Sequence, residues 1–296
     1  SILTCSHISG QDIMKKISYI LLMLVTIQSF SQISGNVTDN KTGLPIEFVN
    51  VWVKNTLLGT TTNKEGSFDF ERAKVGDTLL ISYLGYEELE FLAKTENVVE
   101  LIPTSIELDE VMIIPMRNEQ IEAINSYKKY SKINEFYFNG HYSLARYYEY
   151  KNEYEQNPFI KKLSLVVSSA LKNKVKFKVH LIKADKDGKP SNQIMSEYYI
   201  LETDKGENEL TIDLTEEKLM VPKDGFFVVV DRLNLKENKL SNKLASDILQ
   251  PAIGMEKEDS VKNTWLGYSG KWIAPNDLKK YTGSDKNIAI NIILTD

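Results

Sequence analysis

Residues 59–70 read GTTTNKEGSFDF, and the fold follows from them. Thr60 to Thr62 and Ser67 to Phe70 are strand formers, and Asn63-Lys64-Glu65-Gly66 between them is a tight turn in which Gly66 is free to take a positive φ. Outward from this hairpin lie ISGNVT (33–38), EFVNVWV (47–53) and TLLISYLGY (78–86), each a short β-rich run bounded by turn letters such as DNKTG (39–43). Strands of this length at this spacing predict an all-β sandwich. Phe48, Val49, Val51, Trp52 and Val53 are too apolar for a half-exposed edge and predict a core strand.

The same letters form a set: G-x-V-x-D-x-x-T-G-x-P-I over Gly35 to Ile46, V-x-V over Val49 to Val51, G-T-T-T-N-x-E-G-x-F-x-F over Gly59 to Phe70, and L-x-I-S-Y-L-G-Y over Leu79 to Tyr86. They resemble the carboxypeptidase regulatory-like domain, and the N-terminal extension of SusC-type TonB-dependent receptors of the Bacteroidetes. The resemblance implies a transthyretin-like, seven-stranded sandwich over residues 33–110 in an exported protein. Leu108, Asp109, Glu110 and Val111 resemble the stretch after this domain in those receptors that is discussed as a Ton box. The reading that competes with TonB contact is a last strand leaving the sandwich.

Upstream, Met14, Lys15 and Lys16 precede an apolar run from Ile17 to Ile27 and then Ser29, Ser31 and Gln32, the order of a secretory signal peptide over residues 14–32. Residues 1–13 are expected to be a mis-annotated extension of the gene start. The apolar run falls short of the roughly 20 residues that span a bilayer, and no later stretch reaches that length, so no transmembrane span is expected after the signal. Cys5 is the one cysteine of the 296-residue chain and precedes the signal, so the mature chain is expected to have no disulfide, thiolate nucleophile or cysteine-bound metal. From residue 33 onward, 34 basic residues face 40 acidic ones, a balance that favours neither nucleic acid nor anionic lipid.

Asn118 to Ile133 carries Ile121, Ile124 and Ile133 among polar residues behind a capping Asn118, and predicts a short helix in a linker over 111–134. Strand patterning resumes over 135–296. Val175, Phe177, Val179 and Leu181 alternate with Lys174, Lys176, Lys178 and His180, which predicts a strand with one buried and one wet face. The run from Phe159 through DKDGKP (185–190) to Phe226 and Val230 resembles a jelly-roll-like domain found behind regulatory-like domains in this phylum. It implies a second antiparallel β-sandwich, jelly-roll-like; from the linker between them the two sandwiches are expected to fold independently.

No catalytic constellation is legible. A metallocarboxypeptidase needs His-x-x-Glu and a distant His for zinc, whereas His141 is followed by Tyr142, Ser143 and Leu144, and His180 is read as facing solvent. Tyr268-Ser269-Gly270 keeps only a fragment of a serine-hydrolase elbow, in a β context. Asp185 and Asp187 suit a hairpin turn closed by Gly188 better than a calcium loop, because a bidentate Glu is missing. No cofactor or metal site is implied.

The surplus is aromatic. Tyr142, Tyr147, Tyr148 and Tyr150 crowd one segment, and Trp265 and Trp272 flank a turn at Gly267 to Gly270. Such rings stack on sugars, and they also pack between strands. Two functions are compatible with these letters: a non-catalytic binding module for glycan or peptide, in the periplasm, at the outer membrane or on the cell surface, and a structural or assembly partner of an outer-membrane complex. N-terminal sequencing of envelope fractions is expected to find a start near Gln32 or Ile33; a full-length chain held in the cytoplasm would contradict export.

Overall fold

The computed structural model describes residues 32–104, 116–117, 121–124, 130–131, 141–195, 197–241, 248–256, 262–283 and 286–296. The signal segment, Leu108 to Val111 and most of the linker lie outside the described residues.

The first sandwich has seven strands: β1 (Ile33–Asp39), β2 (Asn50–Val53), β3 (Gly59–Thr61), β4 (Ser67–Phe70), β5 (Thr78–Ser82), β6 (Leu89–Leu92) and β7 (Glu96–Leu101). One sheet runs β4-β1-β7 and the other β3-β2-β5-β6, with β1 parallel to β7 and the other pairs antiparallel. Alternate residues Ile33 and Val37, Val49, Val51 and Val53, Phe68 and Phe70, and Leu79 and Ile81 close the core between them. The polar letters of the motif fix its turns and strand junctions. Asp39 Oδ1 accepts from the backbone N–H groups of Lys41 and Thr42 at 2.9 and 2.7 Å, while Oδ2 accepts from the Tyr86 hydroxyl at 2.7 Å. Thr62 Oγ1 accepts from Val49 N–H at 2.9 Å and donates to the Ile46 carbonyl at 2.7 Å. Asn63 Oδ1 accepts from Glu65 and Ser67 N–H, and Gly66 closes that turn at φ 71°.

The second unit contains β8 (Ile121–Ile124), β9 (Tyr130–Ser131), β10 (Ser143–Tyr148), β11 (Phe159–Ser169), β12 (Val175–Ala184), β13 (Pro190–Gln193), β14 (Tyr199–Thr203), β15 (Gly206–Asp213) and β16 (Phe226–Arg232). It continues through the short strands β17 (Lys239–Leu240), β18 (Ile248–Leu249), β19 (Ala252–Ile253) and β20 (Met255–Glu256) to β21 (Thr264–Tyr268), β22 (Lys271–Ile273) and β23 (Ile290–Thr295). A seven-stranded sheet, β13-β12-β16-β10-β21-β22 with β14 also on β12, packs against a five-stranded one, β15-β11-β23-β8 with β19 also on β11. Their shared core joins Leu144, Phe177, Val228 and Leu266 of the first sheet to Leu163, Ile212 and Ile292 of the second. A bulge between Ile160 and Lys162 resets the alternation, so that both Ile160 and Leu163 point inward. An antiparallel sandwich is therefore present here; its jelly-roll assignment rests on the sequence resemblance alone.

Two expectations are corrected. The linker does not form a helix over Ile121–Ile124: these residues are a strand antiparallel to β23, because isoleucines gain more by extending a sheet than by lining an isolated turn of helix. The polar face of β12 is wet only at its start, where Lys174 is exposed and Lys176 half-buried, and not at Lys178 and His180. Lys178 is fully buried and His180 is 6% exposed, because the first sandwich covers them. The period of two was read correctly, but water was the wrong partner.

The contact between the sandwiches is polar and specific. Lys178 Nζ donates to the Phe48 carbonyl at 3.1 Å, and Leu84 N–H to the Tyr198 hydroxyl at 2.9 Å. His141 N–H donates to the Leu57 carbonyl at 2.9 Å and its Nε2 lies 3.1 Å from Asn50 Oδ1, with the ring 4.3 Å from that of Trp52. Asn234 N–H donates to Thr61 Oγ1 at 3.0 Å, and Phe48 packs on Leu233 and Leu235. This explains why all four residues of β2 are buried: the valines face their own core, and Asn50 and Trp52 face the second sandwich.

Gly59 sits in this joint, where a Cβ would lie 2.6 Å from the His141 ring and 2.9 Å from Trp52. Gly59→Ala is expected to cost about 1–3 kcal/mol by overpacking and to lower the calorimetric midpoint. An unchanged midpoint would mean that the sandwiches do not meet in this way in solution.

Candidate ligand site in the cleft between the sandwiches

The alternation of β10 sorts its tyrosines. Leu144, Arg146 and Tyr148 point between the two sheets, whereas Ala145 and Tyr147 point to the outer face of the seven-stranded sheet. Tyr148 is 1% exposed, stacks on Phe226 with ring centroids 5.2 Å apart and donates to the Ile290 carbonyl at 3.1 Å. Tyr142 is 3% exposed, with the Arg232 guanidinium 4.2 Å from its ring centre. Neither offers a face to a ligand, which corrects their choice as stacking residues: both are too well packed. Tyr150 is half-buried at a separate edge, where its hydroxyl meets Glu155 and Lys223.

Tyr147, Trp265 and Trp272 are brought together. All three are half-buried over a floor of Ala145, Ile182, Ala184, Phe227 and Val229. Trp265 meets Phe227 edge-on at 5.9 Å, and Tyr147 lies 5.0 Å from the same ring. Trp272 stands opposite Gly267, whose missing side chain leaves the space its ring occupies. Ser269 and Gly270, both at positive φ, turn β21 into β22 as a tight hairpin, and Ser269 Oγ accepts from Asn55 N–H of the first sandwich at 2.9 Å.

Beside this shelf a cleft of about 710 Å³ opens between the two sandwiches. One wall is Asn50, Trp52 and Ser82 to Tyr86; the other is Ser143, His180, Val229, Asp231 and the hairpin from Gly267 to Trp272. Sequence reading missed most of it, since its residues come from strands far apart in the chain. The available signal was the period-two alternation itself, which puts Lys178 and His180 on one face of β12.

The deep end is charged. Lys178 and Asp231 stand opposite each other on neighbouring strands, with Nζ 3.7 Å from Oδ2 and the Tyr198 ring 4.4 Å from the ammonium. Burial pulls the Lys178 amine below its ordinary value, and Asp231 opposes that shift. Burial also works to raise the Asp231 carboxyl, but His180, Lys178 and Ser143 outweigh it and hold the group below its usual range. Burial pushes His180 down to about 4 and His141 down to about 3, so both rings are neutral at neutral pH. Among the described residues no group of three or more His, Cys, Asp or Glu side chains is placed to hold a metal, and no helix is long and apolar enough to cross a membrane. Asp185 closes a hairpin turn by accepting from Asp187 and Lys189 N–H, both at 2.9 Å.

The two histidines set a pH dependence. The unfolded chain takes up a proton on each near pH 6.5, and the folded chain only near 4 and 3, so stability falls as pH drops below 6.5. Each contributes up to about 1.4 kcal/mol per pH unit in that window. Thermal melts between pH 7 and 5 are expected to show this loss, and His180→Gln to make it shallower; equal slopes in both proteins would contradict a neutral, buried His180.

Comparison with known proteins places the first sandwich. The chain is 39% identical over 104 residues to the TonB-dependent receptor SusC of Bacteroides thetaiotaomicron, covering 32% of this chain and 10% of that one. It is 30% identical over 106 residues to the TonB-dependent receptor P3 of Formosa agariphila, covering 34% of this chain and 11% of that one. The chain therefore spans about a tenth of the length of these curated relatives. Among solved structures, a chain of the T13 IBDV viral particle overlays 89% of this chain and 57% of its own length at 13% identity and a TM-score of 0.25, too low to inform the fold. Residues 33–113 match the family described as CarboxypepD_reg-like domain, and this chain thus carries a domain of that family, followed by a second antiparallel sandwich beyond the matched residues.

Proposed function

We propose that the chain is an exported, non-catalytic binding module of the cell envelope, associated with the outer membrane, and that it binds glycan in the cleft between its sandwiches. The observation that carries this reading is the composition of the cleft: Trp272, Tyr268 and Tyr83 stand beside Asn50, Ser82 and Asn192 in one concave space. Rings that present apolar faces next to amides and hydroxyls suit a sugar, whose C–H face stacks while its hydroxyls take the polar groups. A peptide would be better served by a free strand edge or an apolar groove. The likeness to SusC and P3, both TonB-dependent receptors, supports placement at an outer-membrane complex.

The same likeness favours a second reading, in which the chain is an assembly partner of such a complex and the cleft stays empty. Binding measured on a glycan array and then by calorimetry separates the two. Trp272→Ala is expected to weaken glycan binding about five-fold or more, as loss of one stacking ring does, with the melting midpoint nearly unchanged because the ring is only half-buried. No glycan binding by the wild type, together with co-purification of the chain with a TonB-dependent receptor, would favour assembly.

A further inference from the structure

The cleft has a chemical polarity that its shape does not show. Among the described residues, two of its lining residues carry a buried polar atom with no hydrogen-bond partner, Asp231 Oδ1 and Gln193 Oε1, while His180 Nδ1 lies 3.7 Å from Asp231 Oδ2 and is turned to that oxygen. Asp231 is 5% exposed, so it is a built-in group and not a waving surface side chain. The carboxylate and carbonyl oxygens only accept. A buried polar atom left without a partner is costly, so groups of this kind in a cleft wall are completed by what enters the cleft.

The protein's own nearby donors are already committed. Lys178 Nζ donates to the Phe48 carbonyl and faces the other oxygen of Asp231, at 3.7 Å, and the Ser143 hydroxyl also bonds the Asp231 carboxylate. The charges also balance: Glu88 and Asp231 on the lining are matched by Lys271 on the lining and Lys178 behind it. No excess of positive charge waits for a sulfate, phosphate or uronate. Such groups would bring further acceptors against the unpartnered oxygens of Asp231 and Gln193.

We propose that the cleft selects a neutral, hydroxyl-rich saccharide, whose hydroxyl groups donate to Asp231 Oδ1 and Gln193 Oε1 while its ring faces the Trp272 side. The proposal rests on the binding reading above and adds the ligand's charge and the residues that read it. Asp231 is paired with Lys178, which donates to the Phe48 carbonyl of the first sandwich, so recognition depends on the two sandwiches docked as they are.

The test uses the purified mature chain titrated with neutral maltohexaose, cellohexaose, xylohexaose and mannohexaose, and with oligogalacturonate and sulfated carrageenan oligosaccharides. Neutral binding is expected, weakened about ten-fold by Asp231→Asn, which removes a charged acceptor, and several-fold by Gln193→Ala. Gln193 lies at the half-buried end of an edge strand, so its variant remains informative if Asp231→Asn fails to fold for want of a partner to Lys178. Neutral binding that both folded variants leave unchanged, or that the folded Gln193→Ala leaves unchanged if Asp231→Asn does not fold, overturns the proposal and spares the binding reading. Preference for the anionic saccharides overturns the proposal alone as well. Absence of binding to every saccharide, with Trp272→Ala equally silent, overturns both.

Discussion

A lysine with no exposed surface ties this molecule together. Taking an ammonium out of water costs several kcal/mol unless partners replace the lost hydration, and here they come from both sandwiches. Asp231 supplies the charge from the neighbouring strand, the Tyr198 ring covers the ammonium, and the Phe48 carbonyl arrives from the first sandwich. Phe48 adopts φ 63°, a backbone conformation that non-glycine residues rarely take, and in it turns its carbonyl to Lys178 and its ring to Leu233 and Leu235. Strain at one residue is offset by a satisfied charge and an apolar contact. The joint is therefore specific in geometry, and the walls of the cleft are held in register with each other.

The cleft inherits its chemistry from that joint. The row Lys178, Asp231, Ser143 and Gly267 crosses four neighbouring strands of the outer face, with Trp272 on the fifth. The next rows, His180 with Val229 and Ala145, then Ile182 with Phe227 and Tyr147, grade from polar to aromatic. One sheet face thus presents charge under the first sandwich, a mixed strip in the cleft, and rings beyond it. A hydroxylated ring with two kinds of face is suited to such a gradient.

Much of the fold was legible because strands announce themselves locally. The turn at Asn63 to Gly66, the core strand from Val49 to Val53 and the second run of strands follow from period two and turn chemistry. What was not legible is what covers each face. Lys178 and His180 read as a wet face because sequence alternation distinguishes two sides of a strand but does not say whether water or another domain lies on one of them. The tyrosines show the same limit. Tyr147 and Tyr148 are adjacent letters of one aromatic run, yet one lies on the outer shelf and the other at the centre of the sandwich. Ile121 to Ile124 suited a helix by spacing, and the partner that made it a strand, β23, lies at the far end of the chain.

Resemblance and site overlap in Ser82 to Tyr86 of the first sandwich and part elsewhere. Asp39, Thr62, Asn63 and Gly66, which carry the family likeness, spend their hydrogen bonds within the first sandwich, on their turns and between its strands. Those letters specify how the sandwich closes and are silent about what docks on it. Asn50 and Trp52, at alternate positions of β2, project from the opposite side to the core valines and meet His141 of the second sandwich. Tyr83, in the final stretch of the motif, lies near Tyr198 with ring centroids 5.4 Å apart. A regulatory-like domain can therefore keep its turn chemistry while its outward face is turned to another use, here as one wall of a cleft whose opposite wall is a different sandwich.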